Sequence, residues 1–150
     1  MTRQQKFPET RTFHYHNQNP RNRITTDCIV RAISTATEIP YNQVVMEMAE
    51  MQCKTGYDSA SSQGINYYLK EKGWVKHSQP RKADGTKYTG KEWCEALNHS
   101  IWFLGKSIVA NIGGNHTVCI KEVSGLHGTF KVHDIWDSTD GCIGNFWIKS

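Results

Sequence analysis

The apolar positions of the chain change their period once. Up to about residue 97 they recur at helical spacing, and after Gly105 they fall into short β-type runs. Cys28, Ile29, Ala32, Ile33 and Ala36 form the buried stripe of a helix over Cys28 to Thr37. Thr25, Thr26 and Asp27 are N-cap types, so that helix is predicted to begin at or immediately before Cys28. Ile39-Pro40 ends it and opens a second helix, because proline is tolerated in a first helical turn and disfavours helix at the residue before it. Tyr41, Val44, Val45, Met48 and Ala49 make the second stripe, and Met46, Met48 and Met51 read as its packing rather than as a soft binding surface. A third helix is predicted from Ser61 or Ser62 through Ile65, Tyr68 and Leu69, capped by Gly73.

Trp74 to His77 read as a short strand or extended connector. The stretch SQPRKADGTKY is a loop, after which a Thr89-x-x-Glu92 capping box opens a fourth helix through Trp93, Ala96 and Leu97. Ser107 to Ile112, His116 to Val123, Thr129 to Trp136 and Cys142 to Ile148 are β-type runs separated by GGN, SGLHG and DSTDG turns. Helices followed by an antiparallel meander in one domain predict an α+β fold with about four strands, residues 24–150 forming the domain. The five tryptophans, Trp74, Trp93, Trp102, Trp136 and Trp147, could line a cleft, but at helix and strand periodicity they read mostly as core.

At 150 residues the chain has the size of one domain, able to bury a core without disulfide help. No apolar run approaches the roughly 20 residues of a membrane-spanning helix, and the start, MTRQQKFPETR, lacks the apolar core of a secretory signal, so a soluble cytoplasmic protein is expected. Cys28, Cys53, Cys94, Cys119 and Cys142 are odd in number and contain no CxxC pair, which points to reduced thiols rather than a disulfide framework or zinc knuckle. The net charge of +4 lies entirely in residues 1–23, where Arg3, Lys6, Arg11, Arg21 and Arg23 face only Glu9. This segment reads as a basic irregular arm with a short strand at Thr12 to Tyr15, able to touch phosphate or an acidic partner. His14 and His16 share a face at strand alternation, but with no third ligand nearby they read as surface histidines.

The candidate chemistry comes from one strand pair. A turn centred on Gly125 pairs Ile120 with Phe130, Val118 with Val132 and His116 with Asp134, and opposed side chains lie about 4.5–5.5 Å apart at Cβ. His116 and Asp134 then stand as a base and its orienter. Asp137 and His133 point to the other face of an unbulged strand. A cysteine in the first turn of a helix sits at the positive end of the dipole, which favours the thiolate; among the five, Cys28 alone has that position.

The segments TTDCIVRAISTAT, GGNHTVCI and VHDIWDS, in that order, resemble the Cys, His and Asp blocks of small papain-like cysteine peptidases of the kind found in bacteriophage genomes, over about residues 22–148. The resemblance implies a papain-like fold, Cys28 as nucleophile, His116 as general base and acid, and Asp134 as the group that orients the imidazole. The family also places a Gln about six residues before the Cys as an oxyanion donor; here that position is Asn22, and Gln18 lies farther upstream. The Cys28 N–H supplies a second donor. The implied activity is that of a thiol hydrolase acting on a protein or peptide, viral or host, as peptidase or isopeptidase. Acyl transfer and deamidation run on the same triad, and no metal or organic cofactor is implied. Two other classes stay open: a papain-like protein that only binds, and a nucleic-acid binder using the arm, whose affinity would fall steeply with salt.

Overall fold

A computed structural model describes residues 1–150. Five helices and a six-stranded open mixed sheet make an α+β fold. In chain order these are α1 (Arg3–Lys6), β1 (Phe13–Tyr15), α2 (Cys28–Thr37), α3 (Tyr41–Thr55), α4 (Ser62–Glu71), β2 (Trp74–His77), α5 (Gly90–Leu97), β3 (Ile108–Ile112), β4 (His116–Glu122), β5 (Phe130–Asp134) and β6 (Ile143–Lys149). The sheet order is β1-β5-β4-β3-β6-β2. No helix is long and apolar enough to cross a membrane.

The helix ends lie where the local chemistry puts them. Glu38 adopts the left-handed conformation that closes α2, and Pro40 opens α3. The Thr89 and Glu92 capping box is formed at the start of α5. Both faces of the sheet are covered. Ile108, Val118, Ile120, Phe130 and Val132 pack with Trp93, Cys94 and Leu97 of α5 on one side. Val109, Cys119 and Trp147 pack with Ile33, Val44, Met48, Ile65 and Leu69 of α2, α3 and α4 on the other.

The sheet is larger than the predicted meander of about four strands, and its two extra strands come from upstream. β2 pairs antiparallel with β6, and β1 pairs parallel with β5, Phe13 opposite Val132 and Tyr15 opposite Asp134. The N-terminal segment is therefore part of the domain's sheet, with Phe13 fully buried and α1 formed at Arg3–Lys6. Both segments read locally as short strands; what the sequence does not show is their pairing, with partners about 70 to 119 positions away.

The β4–β5 register is also a correction. Ile120 stands opposite Val132 and Glu122 opposite Phe130, two residues along from the pairing that a turn centred on Gly125 gives. Ser124 and Gly125 both take positive φ in a short 3₁₀ turn, which moves the hairpin's centre. A shift of two keeps every side chain on its face. His116 and Asp134 thus become diagonal neighbours, at about 7–8 Å between Cα atoms, within reach of an imidazole. The β3–β4 turn at Gly113 and Gly114, both at positive φ, sets Ile112 opposite His116 and makes His116 the first residue of its strand.

Because Phe13 is fully buried beside β5, Phe13→Ala is expected to lower the free energy of unfolding by about 3–5 kcal/mol. Urea denaturation measures this, and a loss below about 1 kcal/mol would mean that the N-terminal strand is not part of the cooperative fold.

Candidate active site

Cys28 is the first residue of α2 and is half-buried. The preceding residue, Asp27, sits at the N-cap yet makes no capping hydrogen bond. Its carboxylate is engaged elsewhere: Oδ2 accepts from the Tyr41 hydroxyl at 2.6 Å and from Asn19 Nδ2 at 3.0 Å, and Oδ1 from Arg31 Nε at 2.7 Å. The first N–H groups of α2 therefore receive no bond from that carboxylate, and the positive helix end stays free to favour the thiolate of Cys28, its first residue.

His116 stands at the opposite side of the same gap. Its Nε2 meets Asp134 Oδ2 at 2.5 Å, which leaves Nδ1 for the thiol. Cys28 lies close enough to His116 and to the Thr117 N–H for both to favour its thiolate. Asp134 is 1% exposed, and its second oxygen accepts from Arg31 Nη1 at 2.8 Å and from the Ile135 N–H at 2.7 Å. Ser138 Oγ lies 3.5 Å from Oδ2. Cys28, His116 and Asp134 thus lie in one neighbourhood, His116 and Asp134 joined by a hydrogen bond across a diagonal of the strand pair rather than by direct opposition.

Burial alone would push the Cys28 thiol up, but the hydrogen bonds from His116 and Thr117 and the charges of His116 and Arg31 outweigh it and hold it below the usual range. Burial would likewise lower His116, and its hydrogen bonds and charge attraction to Asp134 and Cys28 instead raise it to about 9. Between the two lies a window in which sulfur is anionic and the imidazole cationic. Burial pushes Cys94 and Cys119 up to about 12, so neither competes as a nucleophile.

Two further residues touch this arrangement. Trp136, one of the five tryptophans able to line a cleft, packs its ring on His116, centroids 5.1 Å apart, and Arg31, to which the sequence reading assigned no role, joins Asp27 to Asp134. Beside them a cleft of about 490 Å³ is lined by Gly113, Asn115, His116, Trp136, Asp137 and Ser138. Asp137 faces this cleft but spends Oδ1 on the Thr139 N–H and hydroxyl, so Asp134 is the carboxylate bonded to His116.

Asn22 lies in an exposed turn at φ 54°, where its side-chain oxygen accepts from Asn17 Nδ2 at 3.4 Å. None of its hydrogen bonds reaches Cys28 or His116. Gln18 is held between His16 and Ser34, away from the first turn of α2. Of the basic arm, Arg3 donates to the Ile135 carbonyl and Arg11 pairs with Glu95, whereas Lys6, Arg21 and Arg23 stay exposed. His14 and His16, expected at the surface, are half-buried, with His133 opposite His14 in the parallel pair and ring centroids 4.8 Å apart. No set of three such side chains is arranged to hold a metal ion.

No protein-family model matches the chain, and neither does any curated protein or solved structure.

Alkylation of Cys28 by iodoacetamide, located by peptide mass mapping, is expected to rise at lower pH than that of an ordinary thiol, and His116→Ala to move the rise upward. A parent profile centred near the free-thiol value of about 8.5 would contradict the thiolate assignment.

Proposed function

We propose that the protein is a papain-like thiol hydrolase that cleaves an amide or isopeptide bond in a protein or peptide, in the manner of the small phage proteins that its Cys, His and Asp blocks resemble. The observation that carries this is the hydrogen bond from His116 to the buried Asp134, beside a Cys28 thiol at a helix start that His116 holds below its usual range. In this reading the Cys28 thiolate attacks the carbonyl carbon and charge develops on its oxygen. The protonated His116 gives its proton to the leaving amine as the C–N bond breaks, leaving an acyl-thioester. His116 then takes a proton from water, the hydroxide attacks the thioester, and the C–S bond breaks to restore the thiolate. Asp134 holds the imidazole in the orientation that presents Nδ1 to sulfur. The Cys28 N–H at the uncapped helix start is the oxyanion donor, and Asn22 is left out because its own turn engages it.

That single donor also supports a second reading, in which the same architecture serves only to bind a protein. The two separate on turnover. With a panel of p-nitrophenyl esters and a peptide library, the hydrolase reading predicts a burst of released product, abolished in Cys28→Ala. His116→Ala is expected to slow turnover by about 10²–10⁴-fold. Cys28→Ala should leave the thermal transition little changed. Activity that survives in Cys28→Ala overturns the assignment, and a reactive thiolate with no turnover of any substrate favours binding alone.

A further inference from the structure

Arg31 is a charged residue in the interior, 6% exposed, on the helix that carries Cys28 and one turn beyond it. Long cations are almost never buried to this degree unless paired, because withdrawing a guanidinium from water is costly. Its two contacts are not equivalent to a local ion pair. Nε takes Asp27 on its own helix at 2.7 Å, while Nη1 crosses to Asp134 on β5 at 2.8 Å. Only a planar fork with separate donors can hold two carboxylates in fixed directions at once.

We propose that Arg31 is a positioning residue of the active site, locking the helix of the nucleophile to the strand of the orienting carboxylate and balancing the charge that allows Cys28 to stay anionic. This rests on the thiol hydrolase reading and names a further part of its machinery. By occupying Oδ1 of Asp134, Arg31 leaves Oδ2 as the oxygen available to His116. By occupying Oδ1 of Asp27, it holds that carboxylate off the start of α2, where a capping anion would compete with the thiolate for the same N–H groups.

Charge balance points the same way. Asp27, Asp134 and the Cys28 thiolate are three negative groups, and Arg31 with protonated His116 supplies two positive ones. Tyr41 reaches Asp27 from α3 as a neutral hydroxyl donor and adds no charge. Without Arg31 a single cation faces three anions in a poorly solvated space. The thiolate is the anion with the weakest hold on its charge, since thiols ionise far less readily than carboxylic acids.

The test measures the pH dependence of Cys28 alkylation by iodoacetamide in the full chain, for the parent, Arg31→Leu and Arg31→Lys, with folding followed by circular dichroism. Arg31→Leu is expected to raise the midpoint by about one pH unit or more, which slows alkylation at pH 7 by about tenfold. Arg31→Lys restores the charge but not the fork, so its midpoint should fall between the other two. A folded Arg31→Leu protein with the parent's profile overturns the proposal. Should Arg31→Leu not fold, Arg31→Lys decides: an intermediate midpoint supports the role and a parental one overturns it. A parent profile like that of a free thiol would instead sink the hydrolase reading, whatever Arg31 does.

Discussion

The Asp134 carboxylate is a buried charge, and the site depends on how that charge is compensated. Left unpaired at 1% exposure it would cost several kcal/mol. It is met by the Arg31 guanidinium, the His116 imidazole and the Ile135 N–H, with the Ser138 hydroxyl alongside. These partners come from α2, β4 and the segment that follows β5. Its own backbone carbonyl accepts from the His16 N–H, beyond the end of β1. One residue therefore ties together four parts of the chain, most of them far apart in sequence.

The same compensation organises the chemistry. Asp134 binds Nε2 of His116, which leaves the other ring nitrogen free for a second partner. The imidazole is stabilised as a cation by neighbours on both sides, and that cation in turn helps the thiol lose its proton. Burial opposes both ionisations, which is why the pair forms only where hydrogen bonds and opposite charge exceed the desolvation cost. Trp136, lying on the imidazole, covers part of it from solvent.

Much of this is legible along the chain, and the reason is locality. The helical stripe places α2, and the caps formed by Ser61 and Thr89 place α4 and α5, almost to the residue, because the interactions that start and end a helix lie within a turn of it. The choice of Cys28, His116 and Asp134 rests on the first turn of one helix and the parity of one hairpin, and parity survives a register error of two. What stays hidden is non-local. The strand at Thr12 to Tyr15 is readable locally, but its parallel pairing with β5, Phe13 to Val132 across 119 positions, is not. Arg31 reads in sequence like any cation on a helix, since its bond to Asp134 exists only once α2 lies against the ends of β4 and β5. Asn22 stands where the family that the chain resembles carries an oxyanion donor, but a positive-φ turn directs its side chain to Asn17 instead.

The most direct test of the central claim is an NMR titration of the His116 ring in the parent protein. Stabilised by Asp134 and the thiolate, the imidazole is predicted to remain protonated through neutral pH and to lose its proton only near the raised value of about 9. A ring that titrates near the ordinary histidine value of about 6.5 would contradict the ion pair on which the account stands.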